Sequence, residues 1–373
     1  RSVPVATANS PRALSGRPSW IGSATFAALL AAIVYLFYFG GYRHLLVDDS
    51  SSFAIELTMR ILDANKDAHL LVIGNSTVAE GFRASTYNKA TAPRTSLNLG
   101  VGSAHFFVYE KLADLAFKRG MKPQAILVVL TPESLSLRPG YDELLNDMTL
   151  MKTELGAGDY IRLWHHSSGL ASYADKFGRL ALRPALYTDD LRDMLVHLRS
   201  RVGKIRVTYG WMKTAGNDPE ALETDNRFQV CDAGPLQELE KTIAAERAVA
   251  GSTRLGDLER VWAGYSVRVN QPLQVDAHQM QRFLHLLKFL TARVPQVYVI
   301  AAPIYDPEFA AYPASYREDF ARALREISQQ VERVKLLPEF TSDCTMFFDT
   351  VHLNHVGGDQ FTTFLQREMG SLN

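Results

Sequence analysis

The stretch that decides the fold is Leu70-Leu71-Val72-Ile73-Gly74-Asn75-Ser76, an apolar run that ends in a tight turn and a serine. Four consecutive large apolar residues before a glycine predict a strand that is buried on both faces. Such strands belong to parallel sheets that carry helices on both sides. The serine would then stand at the carboxyl end of the strand, which is the edge where open parallel sheets bind their ligands.

Similar apolar runs recur along the chain, and amphipathic patterns lie between them. We predict strands at residues 69–73, 95–99, 125–130, 296–302 and 334–337, and helices at 103–119, 274–293, 315–333 and 356–369. Strands that alternate with helices in this way indicate an α/β fold with a parallel sheet. The pattern lapses over residues 139–272, which we interpret as a long insertion between the third and fourth core strands.

Composition and charge exclude several classes of protein. The chain has 373 residues, 47% of them hydrophobic, which is ample for one large domain. Lys and Arg total 40, and Asp and Glu total 40, so the basic excess that favours nucleic-acid binding is missing. Cys231 and Cys344 have no metal-type spacing. They are either two free buried thiols or, in an oxidising compartment, one disulfide.

The N-terminal part of the sequence predicts a membrane anchor. Residues 1–18 have the composition of a disordered tail, and residues 19–42 are apolar and contain no charged residue. As a helix, residues 19–42 would span about 36 Å, against a hydrocarbon core of about 30 Å. Arginines precede this segment and two aspartates follow it, which predicts a cytoplasmic N-terminus and an outer main domain. A cleaved signal peptide is the alternative, and the long apolar segment disfavours it.

Between the anchor and the main domain, residues 43–66 predict a linker helix, because apolar residues recur there at helical spacing. The main domain would then comprise residues 67–373, including the insertion.

A short segment near the C-terminus carries the groups that activate a serine. Asp349 and His352 are three residues apart, so the carboxylate can hold the imidazole Nδ1–H and direct Nε2 outward. Together with Ser76 they form a candidate Ser-His-Asp triad. Taken separately, Ser76 could be an ordinary helix cap and His352 a surface residue. His355 makes a metal-binding pair conceivable, but no further ligands lie at a suitable spacing, and we predict no metal site.

Other strand ends supply candidate partners for this triad. Gly100 and Gly102 follow the second strand, and Thr131 follows the third. Their polar groups and the N–H of Ser76 are our candidates for an oxyanion hole.

Substrate contacts are predicted on weaker grounds. Asn75 adjoins the nucleophile, and Trp164, His165 and Trp211 lie in the insertion, where aromatic rings could stack on a sugar. The alternative for Trp164 and the adjacent histidines is a loop around a partly buried tryptophan.

Three of these segments resemble the sequence blocks of the SGNH-hydrolase superfamily. Gly74-Asn75-Ser76 resembles the first block, usually Gly-Asp-Ser, residues 98–102 resemble the second, and Asp349-x-x-His352 resembles the last. The longer pattern over residues 349–357 is similar to a membrane-anchored branch, which includes the teichoic-acid D-alanyl transfer protein and the alginate O-acetylation proteins. The resemblance covers residues 69–134 and 296–369, and it leaves out the insertion.

The third block departs from the superfamily pattern. That block normally supplies an asparagine to the oxyanion hole, whereas this chain has Thr131-Pro132-Glu133 at the matching strand end. Thr131 is the only side-chain donor that we can name there, and an ionised Glu133 would repel an oxyanion.

The resemblance implies both a fold and a function. The fold would be a three-layer SGNH (flavodoxin-like) domain that follows one N-terminal transmembrane helix. The function would be that of a membrane-anchored, extracytoplasmic O-acyltransferase or esterase acting on a cell-surface or secreted polysaccharide. Ser76 would be the nucleophile, His352 the general base and acid, and Asp349 the orienting carboxylate.

The resemblance also implies a multi-spanning membrane O-acyltransferase as partner, and no cofactor. An alanine-rich face on the anchor helix would suit packing against such a partner. The alternative function is a catalytically silent SGNH-like subunit that binds glycan or scaffolds a membrane complex. The altered third block favours this alternative, and the intact Asp-x-x-His disfavours it. The distance from Ser76 Oγ to His352 Nε2 discriminates between the two functions.

Overall fold

A computed structural model describes residues 20–39, 50–136, 138, 140–215, 218, 220, 223, 225–249, 251–269, 273–305 and 312–370. These residues form an α/β fold around a five-stranded parallel sheet, as the alternating pattern predicted.

The strand order places the end of the first strand at a reversal in the sheet. The strands are β1 (Leu70–Gly74), β2 (Ser96–Gly100), β3 (Ala125–Leu130), β4 (Gln296–Ala301) and β5 (Val334–Leu336). They lie in the order β2-β1-β3-β4-β5, and every neighbouring pair is parallel. This is the flavodoxin-like order, in which the chain moves to one side of β1 and then to the other. A crevice forms at such a switch point, so the residues that follow β1 and β3 are well placed to meet a ligand.

Helices cover both faces of the sheet. They are α1 (Trp20–Phe39), α2 (Ser50–Ala64), α3 (Ser76–Gly81), α4 (Ala84–Thr91), α5 (Phe106–Lys118), α6 (Glu143–Leu150), α7 (Asp159–His166), α8 (Leu170–Ala181), α9 (Thr188–Ala215), α10 (Leu239–Arg247), α11 (Leu255–Val269), α12 (Ala277–Thr291), α13 (Ala314–Gln330) and α14 (His355–Met369). Successive strand residues point to opposite faces, so each strand supplies two cores. Leu71 and Ile73 of β1 join one core with α2, α5, α12 and α13. Leu70 and Val72 join the other core with α3, α4 and α14.

The insertion between β3 and β4 divides between these two faces. Its first part, which includes Leu163 and Leu180, packs into the same core as α5 and α12. Its second part, which includes Leu239 and Leu258, packs into the core beneath α3 and α14. Cys231, in this second part, forms a disulfide with Cys344. The structure therefore favours the disulfide over two free thiols.

The N-terminal elements differ from the sequence-based picture in one respect. We predicted a linker helix over residues 43–66, whereas α2 packs as part of the domain, because Ile55, Leu57 and Leu62 are fully buried in the core. The predicted tail, residues 1–18, lies outside the described residues. No helix among the described residues combines the length and the apolar character that a bilayer crossing requires.

Candidate active site

The fold brings Ser76, His352 and Asp349 together in one hydrogen-bonded chain. Ser76 Oγ lies 2.7 Å from His352 Nε2, and His352 Nδ1 lies 2.7 Å from Asp349 Oδ2. Ser76 follows β1, whereas the other two residues precede α14, 276 residues further along the chain for His352. The arrangement is that of a serine nucleophile, a base that can accept its proton, and a carboxylate that orients the base.

Asp349 is held by its own turn as well as by the histidine. Its Oδ1 accepts hydrogen bonds from the backbone N–H groups of Val351 (2.9 Å) and His352 (2.8 Å). Burial by itself would raise the pKa of this carboxyl, but the hydrogen bond with His352, the attraction to that ring and the two amides together hold the pKa below its ordinary value. The side chain is therefore ionised throughout the neutral range. The lowered pKa of Asp349 stabilises the fold at every pH above about 3.9, the ordinary pKa of an aspartate. This stability is lost as the pH falls from there through the pKa of Asp349 in the folded protein.

A second aromatic ring packs on the imidazole of His352. Phe348 stacks on His352 with ring centroids 5.6 Å apart and an angle of 13° between the planes. The guanidinium of Arg260, on α11 of the insertion, lies over the Phe348 ring at 5.7 Å from its centroid. The insertion thus supplies a cation to the ring that stacks on His352, a contact that the sequence pattern did not single out.

Asn75 acts as a cap for α3 and leaves Ser76 as the first residue of that helix. Its Oδ1 accepts hydrogen bonds from the N–H (3.0 Å) and the hydroxyl (2.9 Å) of Thr77. Its Nδ2 donates to Thr131 Oγ1 at 3.3 Å. Asn75 was predicted as a substrate contact, yet these bonds engage both ends of its amide. Its side chain therefore holds the turn that presents the nucleophile.

The residue that fastens this helix to the sheet is Asn98, on β2. Its Nδ2 donates to the carbonyl oxygens of Val78 (2.9 Å) and Phe82 (2.8 Å), and its Oδ1 accepts from the N–H of Gly100 at 2.8 Å. Asn98 is buried. A buried asparagine inside an apolar strand is the sequence signal that could have identified this role, because such an amide must find partners.

Gly100 has a packing role that its place in the predicted oxyanion hole did not suggest. A Cβ at this position would lie 2.2 Å from the backbone N of Ala79 in α3. The N–H of Gly100 is already donated to Asn98. Gly100 therefore lets the helix of the nucleophile approach the sheet, and in this structure its N–H is not directed at the site.

We expect Gly100→Ala to lower the free energy of unfolding by about 3 kcal/mol, the upper end for an overpacked core. The clash is with backbone, so no side-chain rotation relieves it, and α3 must move away from β2. Chemical denaturation and ester hydrolysis measured together would show both losses. Gly156→Ala is the matched control, because a Cβ there meets nothing within 4 Å. Equal stability of the two variants would contradict the packing role.

The remaining oxyanion candidates differ in availability. Among the described residues, no hydrogen bond is made by the N–H of Gly102 or by that of Ser76, which is the first of α3 and so has no partner within the helix. Thr131 is buried, and its hydroxyl lies 3.0 Å from Ser134 Oγ as well as near Asn75. Glu133, the acidic residue of the altered block, accepts a hydrogen bond of 2.5 Å from the hydroxyl of Tyr312.

The loop that carries Gly102 is fixed by the insertion. Asn146 Nδ2 donates to the carbonyl oxygen of Ser103 at 2.9 Å, and Asp147 Oδ1 accepts from the N–H of His105 at 3.0 Å. Both Asn146 and Asp147 lie on α6. The first helix of the insertion therefore positions the loop that follows β2, which the resemblance to the second block could not show.

The histidine loop is fixed by the other part of the insertion. Asn354 caps α14 and donates to the carbonyl oxygens of Phe228 (3.2 Å) and Thr345 (2.7 Å). The N–H of Val230 donates to the carbonyl of Phe347 at 2.8 Å. The disulfide between Cys231 and Cys344 covers a sequence separation of 113 residues and joins the same two segments.

We expect the double change Cys231→Ser and Cys344→Ser to lower the free energy of unfolding by about 2–4 kcal/mol, as is typical for loss of a bridge that closes a long loop. Thermal unfolding with and without a thiol reductant checks this, because the reductant should lower the midpoint of the native chain and leave the double variant unchanged. Loss of ester hydrolysis should accompany reduction, since the bridge precedes the catalytic loop. A native midpoint that is insensitive to full reduction would contradict this prediction.

The predicted substrate contacts in the insertion differ in their exposure and in their neighbours. Trp164 is 54% exposed and packs edge-on against Tyr173. His165 is exposed and stacks on His285, with centroids 4.2 Å apart. The side chain of Trp211 lies outside the described residues. The structure does not place Trp164 or His165 in contact with the triad residues.

His166 is buried and cannot contact a ligand from solvent, whereas His165 is exposed. The Nε2 atom of His166 lies 2.8 Å from Glu110 Oε2. Burial lowers its pKa to about 4, against the opposing effect of the Glu110 carboxylate. Of these two adjacent histidines, only His165 faces solvent.

Cavities and metal-binding groups do not add to this site. A cavity of about 560 Å³ lies beyond the ends of β4 and β5, and its lining includes Pro132, Ala302 and Phe320 but not Ser76 or His352. Within the described ranges, no three His, Cys, Asp or Glu side chains are grouped so that they could hold a metal ion. Ser76 and His352 are partly exposed, so the triad opens to solvent at the sheet edge.

Comparisons with known proteins leave the family open. No protein-family model matches the chain, and no curated protein matches it. A solved structure from Streptococcus pneumonia, called "a putative platelet activating factor", is similar over 93% of this chain and 99% of its own. The sequences are 10% identical and the TM-score is 0.35, so this likeness carries no argument about function.

Proposed function

We propose that this protein is an SGNH-like serine esterase or O-acyltransferase, with Ser76 as nucleophile, His352 as base and acid, and Asp349 as the orienting carboxylate. The observation that carries the proposal is the pair of 2.7 Å contacts that link Ser76 to His352 and His352 to Asp349. Two groups far apart in sequence meet at hydrogen-bond distance at the ligand-binding edge of the sheet, which a purely structural role does not require.

The geometry supports a two-step acyl transfer. His352 Nε2 accepts the proton as Ser76 Oγ attacks the carbonyl carbon of an ester, and the carbonyl electrons move to its oxygen. The N–H groups of Ser76 and Gly102 are the donors that could stabilise that oxyanion. His352 then gives the proton to the alcohol oxygen as the ester bond breaks. The alcohol departs, and the acyl group remains bound to Ser76. In the second step, water or a hydroxyl of another molecule loses its proton to His352 and takes up the acyl group. The bond from the acyl carbon to Ser76 Oγ breaks, and His352 returns the proton to that oxygen.

The proposed setting is the outer side of the cytoplasmic membrane, with residues 19–42 as the anchor. The uncharged apolar sequence of that segment supports this, and so does the disulfide, because such bonds persist in oxidising compartments. Resistance to extraction at alkaline pH and an externally active reporter fused after residue 373 would test the topology. A soluble mature protein without residues 1–42 would overturn it.

The substrate and the partner are proposed from the resemblance to the membrane-anchored branch. The acyl acceptor or donor would be a cell-surface or secreted polysaccharide, and the partner a multi-spanning membrane O-acyltransferase. One observation still favours the alternative of a catalytically silent subunit, namely that the third block has no asparagine. The Ser76–His352 contact supports the enzyme instead, because a binding subunit gains nothing from an aligned nucleophile and base.

The test is labelling of the full chain with a serine-directed fluorophosphonate, followed by mapping of the modified residue. We expect one label, on Ser76, and a large loss of labelling in His352→Ala, because the base activates the nucleophile. Labelling of a different serine, or a chain that remains unlabelled while folded, would favour the silent subunit.

A further inference from the structure

The middle of α9 exposes an unusual number of large apolar side chains. Leu195, Val196, Leu198, Val202 and Val207 are between 45% and 85% exposed. Isolated surface residues of this kind are normal, but several on one helix mark a surface that binds something else. We call residues 195–207 the α9 face; the helix is kinked at His197, within this stretch.

Positive charge is concentrated in the same part of the chain. From residue 194 to residue 217 the sequence has five Lys and Arg residues and no Asp or Glu. Arg199 and Arg206 are exposed among the apolar residues of the α9 face. Arg201 is the exception, since it is buried and pairs with Asp190 (2.6 Å) and Asp193 (2.8 Å) in the first turns of the helix.

Those two ion pairs lie within α9 itself, and a third pair ties the helix to the domain. Asp190 also accepts a hydrogen bond of 2.5 Å from the buried Lys152. Within residues 195–207, Arg201 is the only described side chain that is buried. The helix is therefore attached through a charged cluster and leaves its apolar residues outward, which is the reverse of a helix that serves a core.

The α9 face lies near the most apolar helix of the chain. The short helix Arg183–Tyr187 immediately precedes α9, and α1 lies against it. The described part of α1 is also exposed, including Phe26 and Leu29. Two exposed apolar helices thus meet at one small element of the insertion.

We propose that the α9 face seats on the surface of a lipid bilayer, with its apolar residues at the level of the acyl chains and its arginines on anionic headgroups. Exposed apolar residues with basic residues among them, and with no acidic residue, suit a surface that combines acyl chains with anionic headgroups. Contact of α1 with the preceding short helix puts the face on the side where the proposed anchor enters the membrane. The inference rests on the proposed membrane setting and is independent of the proposed chemistry.

The test uses the full chain in vesicles that contain an anionic phospholipid. Leu198→Cys and Val249→Cys are each labelled with an environment-sensitive fluorophore, and lipids brominated on their acyl chains serve as quenchers. Val249 is the matched control, because it is apolar and 55% exposed but follows α10, which packs on the opposite face of the sheet. We expect the label at 198 to lose about half of its fluorescence or more, since interfacial helices lie about 5–10 Å deep, and the label at 249 to be unaffected.

The charge requirement gives a second measurement. Arg199→Glu together with Arg206→Glu should reduce the seated fraction by about tenfold in anionic vesicles, because each basic residue near such a surface contributes to the attraction. Equal quenching of the labels at 198 and 249 would overturn the proposal. Quenching at 198 that is the same with and without the two Arg→Glu changes would also overturn it. Protection of position 198 only when a second membrane protein is added, or cross-linking of 198 to a second copy, would assign the face to a protein partner instead.

Failure of this inference can be distinguished from failure of the proposed function. Fluorophosphonate labelling of Ser76 reports the chemistry, and alkaline extraction reports the anchor. A protein that labels at Ser76 and resists extraction, yet shows no quenching at 198, would retain the function and lose only the seating of the α9 face.

Discussion

Ser76→Ala should lower kcat on an activated acyl ester by about 10⁴-fold or more, because it removes the atom that attacks the carbonyl. Among the described residues, the Ser76 hydroxyl makes one hydrogen bond, which is with His352. The change therefore deletes the nucleophile without leaving a buried group unsatisfied, and thermal stability should be nearly unchanged. Steady-state hydrolysis of p-nitrophenyl acetate and a thermal melt measure the two quantities.

Ser328→Ala supplies the control for that experiment. Ser328 lies near the end of α13, and its hydroxyl bonds only to the carbonyl of Arg325 in the same helix. It should keep full activity. His352→Ala should be about as severe as Ser76→Ala, and the double variant no worse than either, because the two residues act as a unit. Ser76→Ala that retains turnover within tenfold of the native chain would end the proposed mechanism.

Asp349→Asn should lower kcat by about 10⁴-fold through the tautomer of the histidine. Two backbone N–H groups donate to Asp349 Oδ1, so the amide oxygen of an asparagine would take that position. Its NH₂ group would then face His352 Nδ1, which must become an acceptor. The proton would move to Nε2, and His352 could no longer accept a proton from Ser76.

Structure and kinetics together separate this effect from simple unfolding. We expect the melting temperature of Asp349→Asn to stay close to that of the native chain, because the amide preserves the bonds to Val351 and His352. Asp349→Ala should lose the same activity and also stability, since it leaves two N–H groups of the turn without their acceptor. Asp349→Asn with a kcat within tenfold of native would show that the carboxylate does not set the tautomer.

The amino-acid sequence by itself determined the sheet and the identity of the triad. The apolar runs at residues 69–73 and 125–130 predict buried strands, because a parallel strand that is covered on both faces has no polar face. The bounds of β1 were predicted within one residue at each end, and those of β3 without error. Ser76, His352 and Asp349 could be named because their chemistry is local to two short segments, and a hydroxyl, an imidazole and a carboxylate have few other reasons to combine at strand ends.

Other features were decided by tertiary contacts, and each for a physical reason. Gly100 was expected to donate to an oxyanion, but the side-chain Oδ1 of Asn98 accepts its N–H, and close packing against Ala79 explains the glycine. Asn75 was expected to meet substrate, but it caps α3 and bonds to Thr131. The bond between Gly100 and Asn98 is local, but the approach of Ala79 to Gly100 and of Thr131 to Asn75 joins elements that only the folded sheet brings together.

The insertion shows the limit of sequence reasoning most clearly. Its apolar pattern is weak, so nothing in residues 139–272 indicated that α6 would hold the loop of Gly102 or that Arg260 would lie over Phe348. The disulfide likewise joins two segments that only the folded chain brings together. Local sequence fixes which residues can form a strand, a cap or a nucleophile. Which of them come into contact is decided by the burial of apolar side chains that are far apart in sequence, and that burial is a property of the whole fold.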